Sequence, residues 1–191
     1  MVLPGHLSAG YLITRAVLAQ SAAIFSPTQI LILYAIGILS GELPDVDLIW
    51  FNWVHFWRKV RNPKYQKHTL DSHRDYFSHA PLLWLVITGL IMAVGYLASS
   101  PFTEFTGLLI LLGTWSHFAL DSIEAGIMWL WPFSHRRFAL HKVDEREQDF
   151  DHGVVSYYWT WIRYGYFKYW TAYIEIVLSV ISLSVLISSL H

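Results

Sequence analysis

His117 and Asp121 stand four residues apart, so on an α-helix both side chains share one face and could grip a single metal ion. The same spacing also suits a histidine that simply donates to a helix-terminal carboxylate. In Leu43-Pro44-Asp45-Val46-Asp47 the proline ends a helix and two carboxylates follow at i, i+2. In an extended or turn conformation these point the same way and favour a shared cation. Either could instead cap a helix beginning near Leu48, and the expectation is that one of the two caps and the other ligates. In the stretch from His73 to Pro81, the proline suits the first turn of a helix and places His79 at that helix's N-terminus. Arg74 could hold a phosphate oxygen bidentately. His73 and His79 do not share a helical face, so joint ligation needs His73 to reach in from the preceding loop; otherwise both are interfacial histidines of a cationic loop. His6 opens the first apolar stretch, and Gly10 one turn later lets another helix come close. Imidazoles with carboxylates suit zinc, and carboxylate-rich sets also suit manganese, iron or magnesium. Seven residues, His6, Asp45, Asp47, His73, His79, His117 and Asp121, are enough for two ions.

The elements that must position them read as membrane helices. A bilayer core about 30 Å thick needs about 20 helical residues. The chain of 191 residues is 54% hydrophobic and 14% charged, with net charge −1 and a mean hydropathy of +0.38. That composition excludes a disordered chain, and the lack of surplus Lys and Arg excludes a general nucleic-acid binder. Without cysteine, disulfides and thiolate metal sites are excluded too. Helices are expected near 6–25, 28–43, 81–100, 104–121 and 171–190, with Ser26-Pro27 as a tight turn. The expected fold is therefore all-α: one polytopic integral membrane domain of about five transmembrane helices. No cationic region precedes the first apolar stretch, so a cleaved signal peptide is not expected.

Of the 13 cationic residues, twelve lie from Arg58 to Arg74, from Arg136 to Arg146, or at Arg163 and Lys168, and none in the turns near 26 and 102. The positive-inside rule puts the N-terminus and both long connecting segments in the cytoplasm and the C-terminus outside. All seven candidate ligands then fall in one cytoplasmic layer. Residues 48–60 and 154–170 combine aromatics with Lys and Arg, the composition of interfacial helices in the headgroup layer. His55, His68, His135, His141 and His191 sit in loop or interfacial contexts, as does His152, which has Asp149 and Asp151 beside it in the mixed-charge loop 144–152. Arg15, about 13 Å along the first helix, should lie near the bilayer middle and needs a partner: Glu42, Glu124, Glu175 or an anionic substrate.

Taken in order, His6 with Gly10, Leu43-Pro44-Asp45-Val46-Asp47, His73-Arg74 with Ser78-His79, His117 with Asp121, then Gly126 and Trp131-Pro132-Phe133-Ser134 resemble the membrane-bound metal-dependent hydrolases. That family is also described as LexA-binding, inner-membrane-associated YdjM-like hydrolases, and the resemblance covers roughly residues 5–135. It implies that the seven residues surround metal, with Arg74 nearby. The chain departs from the family pattern at Asp75, at Ser78-His79-Ala80, at Glu124 and in the step to Gly126.

The expected activity is hydrolysis of a phosphoester of a lipid or other amphiphile at the cytoplasmic face. Zinc or manganese, one ion or two, would acidify water; Asp45 or Asp47 would act as base, and Arg74 would meet the charge developing on phosphorus. Expected partners are membrane lipid and an amphiphilic or phosphorylated substrate, with no nucleic acid. The rival expectations are a membrane metal-ion carrier or sensor, and a metal-stabilised scaffold without hydrolytic activity.

Overall fold

The structure is a computed structural model that describes residues 3–62, 73–124, 126–141, 159, 162–163 and 165–189. These include the α-helices α1 Leu3–Ala19, α2 Pro27–Ser40, α3 Asp47–Arg61, α4 Pro81–Leu97, α5 Pro101–Glu124 and α6 Trp170–Ser188. Short 3-10 turns occupy Pro44–Val46, His73–Asp75, Phe77–His79 and Tyr166–Lys168. Among the described residues no strand forms beyond an isolated bridge between Ile127 and Phe138. The chain is all-α.

Local chemistry accounts for the boundaries that matter. Ser26 and Gln29 close a capping box at the start of α2, with Pro27 in the first turn. The helix expected over 6–25 ends earlier, at Ala19, and the chain turns before Ser26. Pro44 follows the end of α2, and the polypeptide changes direction by 62° before continuing as α3. Pro81 opens α4 as expected.

α1 is the central element: it packs against α2, α5 and α6, while α5 also packs against α2 and α4. Two glycines permit this closeness. A side chain at Gly10 would strike the carbonyl of Gly37, and a Cβ on Gly113 would come within 2.5 Å of the Ser40 Cβ.

The distribution of polarity is inverted relative to a water-soluble bundle. Leu85, Val86, Leu90 and Val94 of α4 and Val177, Val180, Leu183 and Ile187 of α6 are exposed, whereas His6, Thr14, Thr114, His117, Asp121 and Glu175 are buried. An apolar exterior around a polar interior is the pattern of helices solvated by lipid. Among the described residues α6 is long and apolar enough to cross a membrane; α2 with α3 passes the same criterion as a bent pair, and α4 is apolar over 17 residues.

Candidate metal centre

The ends of α1, α2 and α5 meet the 3-10 turns that precede α3 and α4. α5 supplies His117 and Asp121, one turn apart on its inward face; both are buried. α1 supplies His6, whose ring stacks on that of His117 with centroids 4.1 Å apart. The turn after α2 supplies Asp45, and the turn before α4 supplies His79.

His117 is held by the end of α2. Its Nδ1 donates to the carbonyl of Gly41 over 2.7 Å, which fixes the tautomer because a carbonyl can only accept. Nε2 therefore carries the lone pair. It faces Asp45 Oδ1 at 3.7 Å and Asp121 Oδ2 at 3.8 Å and has no hydrogen-bond partner. His6 is equally unsatisfied: neither ring nitrogen has a partner, and Nε2 lies 3.8 Å from Asp121 Oδ1. A buried polar atom without a partner costs about 1–3 kcal/mol, and three such nitrogens meet here. Lone pairs that face carboxylate oxygens in a buried space repel unless a cation stands between them.

The donor atoms form two overlapping groups, His6 with His117 and Asp121, and Asp45 with His79 and His117. Within each group they lie within 4.8 Å of one another, which suits a divalent ion with His and Asp ligands.

His79 is gripped from both sides. Nδ1 lies 2.8 Å from Asp47 Oδ2 and Nε2 3.2 Å from Asp45 Oδ1. Burial alone would lower its pKa, but the hydrogen bonds to the two aspartates outweigh it and the pKa is raised. Ser78 Oγ also donates to Asp47 Oδ2. Asp45 and Asp47 thus lie on opposite sides of His79. The intervening backbone is a 3-10 turn rather than extended, and at about three residues per turn an i, i+2 pair diverges. Val46 rather than either aspartate occupies the α3 N-cap, without a side-chain hydrogen bond. Asp47 orients an imidazole in the manner of a carboxylate behind a metal-binding histidine.

Arg74 Nε donates to Asp121 Oδ2 over 2.8 Å, so its guanidinium is engaged with the centre's own carboxylate. The backbone of His73 lies in the turn leading to Arg74, but its side chain lies outside the described residues, as do His68, His152, Asp149, Asp151 and His191. His135 and His141 are exposed, and His55 packs on Phe51 with centroids 4.3 Å apart. Of residues 154–170, only Trp159, Ile162, Arg163 and the stretch from Gly165 are described.

Some contributions escaped sequence reasoning. Glu42, beside the centre, keeps a buried Oε1 without a partner, and burial followed by the charges of Asp45 and Asp121 raises its pKa to about 7. Glu124 accepts from the Trp170 N–H at 2.8 Å and from Thr171 Oγ1 at 2.6 Å, so it caps α6 from the end of α5. Asp75 pairs with Arg137 at 3.4 Å. Two of the departures from the family pattern therefore carry local structural roles. An acid after H-x-x-x-D was the available signal for Glu124, but its partner lies 46 residues away.

An apolar-faced helical bundle with buried histidines and carboxylates gathered at one end defines the class: an all-helical membrane protein with a candidate metal centre. The comparison with protein families agrees. The family described as YdjM inner membrane protein matches residues 1–190, and the chain belongs to that family. Neither a curated protein nor a solved structure matches the chain.

Proposed function

We propose that this inner-membrane protein is a metal-dependent hydrolase that cleaves a phosphoester of a lipid or other amphiphile at the cytoplasmic face. The observation that carries the reading is the partnerless Nε2 of His117 between Asp45 and Asp121, with His6 stacked behind it. His6, Asp45, His79, His117 and Asp121 would hold one or two divalent ions, zinc or manganese by donor type. Such an ion supplies Lewis acidity toward a phosphoryl oxygen and acidifies water.

The remaining roles fall to the chain's own groups. Asp45, whose side chain is 26% exposed against 8% for Asp47, is the carboxylate within reach of solvent and the better placed base. Asp47 and Ser78 hold His79 in place. Arg74 pairs with Asp121 and would add a positive charge where negative charge develops on phosphorus.

Substrate access is read from α3. This helix starts at Asp47, and Trp50, Trp53, Val54, Trp57, Arg58 and Arg61 line a groove of about 450 Å³ along it. Aromatics with arginines suit the headgroup layer and an amphiphile arriving along the membrane plane. In this reading α1, α2, α4, α5 and α6 are the five crossings, with the N-terminus and the cation-rich segments cytoplasmic and the C-terminus outside.

A metal carrier would need ionisable groups through the bilayer depth, whereas α4 has no charged residue along its length and the candidate ligands gather at one end. The test is metal-loaded protein in detergent, assayed against a chromogenic phosphodiester and radiolabelled phospholipid. Turnover lost in His117→Ala and Asp45→Asn supports the reading. Full turnover in both, with metal still bound, removes it; metal-dependent uptake into proteoliposomes without turnover would make the protein a carrier.

A further inference from the structure

The far end of the bundle holds a second polar feature that the metal centre does not use. α1 and α6 run in the same direction: Ser8 Oγ meets Ser179 Oγ at 3.3 Å, and further along Arg15 shares a cavity with Leu186 and Ser189. Arg15 lies nine residues beyond His6 and four before Ala19, so it stands about one turn from the end of α1 opposite the metal centre. The apolar stretch that contains it is longer than the helix, which stops one turn beyond Arg15 at Ala19.

The cavity measures about 320 Å³ and is lined by Tyr11, Arg15, Tyr34, Ile38, Leu186 and Ser189. Among the described residues no carboxylate pairs with Arg15. Of the acids offered by the sequence, Glu124 is committed to the start of α6 and Glu175 to Tyr166, while Glu42 lies beside the metal centre. The rings of Tyr11 and Tyr34 lie 5.8 Å apart, and neither hydroxyl bonds to another described residue. The pocket thus brings together a permanent cation, two tyrosines, Ser189 and the apolar side chains of Ile38 and Leu186.

We propose that this cavity binds the phosphate of an anionic phospholipid in the leaflet opposite the metal centre. A guanidinium matches a phosphate with two parallel N–H donors, and tyrosines place an apolar ring in the acyl region and a hydroxyl at the headgroup. A buried or half-buried arginine in a membrane helix needs an anion, and the described chain supplies none. Lipid fits better than free phosphate because Ile38, Leu186 and the rings of Tyr11 and Tyr34 give the lining an apolar part that suits an acyl chain.

The experiment uses the full chain in nanodiscs of phosphatidylglycerol and phosphatidylcholine, with retained lipid counted by native mass spectrometry after detergent extraction. Wild type is expected to retain phosphatidylglycerol in preference to phosphatidylcholine. Arg15→Gln should lower that retention about tenfold, and Arg15→Lys, which keeps the charge but not the fork, should lower it partly. Unchanged metal content in both variants shows that the opposite end is intact; if Arg15→Gln does not fold, Arg15→Lys alone decides. Equal retention by wild type and Arg15→Lys, equal retention of the two lipids, or release of the adduct by millimolar inorganic phosphate would each overturn the proposal.

Discussion

His117 donates from Nδ1 to the carbonyl of Gly41, 76 residues earlier in the chain, over 2.7 Å. The bond ties the last part of α5 to the end of α2 and leaves Nε2 of a buried imidazole as an acceptor. Because Gly113 lies one turn before His117 and packs on Ser40 beside Gly41, helix spacing and imidazole placement are one problem.

Gly113→Ala is expected to separate α5 from α2 and to cost about 1–3 kcal/mol as overpacking. It should also weaken metal binding, since the Gly41 carbonyl moves with the displaced strand of contacts. Gly89→Ala is the matched control, because nothing lies within 4 Å of a Cβ there. Thermal unfolding in detergent and metal titration should show both losses for Gly113→Ala and neither for Gly89→Ala.

Asp47 acts on the centre through His79 rather than by facing His117. Asp47→Asn should therefore weaken metal affinity by roughly 10- to 100-fold while the protein stays folded. Calorimetric titration against wild type measures it. An affinity that does not change would mean that His79 needs no carboxylate behind it.

Beside Glu42, His79 contributes one part of the pH dependence of the metal-free protein. Its folded pKa is raised above 6.5, so the stability it contributes is fully present below 6.5 and is lost as pH rises through the folded value. Metal competes with the same proton, so affinity should rise across that window. Unfolding in chelator from pH 5.5 upward should show a decline that is smaller in His79→Gln, where Glu42, raised to about 7, still loses stability on ionising, and metal should flatten the His79 part.

Glu124 offers a separate test of the scaffold. Removing its carboxylate in Glu124→Ala frees the Trp170 N–H and Thr171 Oγ1 at the start of α6, at a cost of about 2–3 kcal/mol for two charge-assisted bonds. Metal affinity should hold, because Glu124 belongs to neither ligand group. Parallel loss of metal would show that α6 docking and the centre are coupled.

The parts legible in the sequence were those that depend on local spacing. His117 and Asp121 sit at i, i+4 on a helix, and Ser26-Pro27 marks a capped helix start whatever surrounds it. Gly10 announced a close helix crossing, though not which residue would meet it. Asp45 and Asp47 were harder, because Pro44 starts a 3-10 turn that sends i, i+2 carboxylates apart, and nothing local distinguishes that from an extended turn. The Gly41 carbonyl was invisible, since a backbone acceptor has no side-chain signature. The nearness of Arg15 to the end of α1 was hidden as well, because hydropathy does not reveal where a helix stops.

Arg74 and Asp121 provide the sharpest contrast between metal-free and metal-loaded protein. Asp121 is 1% exposed, and Arg74 Nε bonds it at 2.8 Å with its own side chain 15% exposed. Removing one member of a buried pair leaves an uncompensated charge, at a cost of about 3–5 kcal/mol, and the partial exposure of Arg74 points to the lower end. Arg74→Met should therefore destabilise the metal-free protein by about 3 kcal/mol. A divalent ion on Asp121 supplies the missing positive charge, so saturating metal should restore most of that stability although Arg74 is absent. Unfolding of wild type and Arg74→Met, each with chelator and with excess metal, gives the four values needed. An equal loss in both states would mean that no cation reaches Asp121, which would remove it from the ligand set.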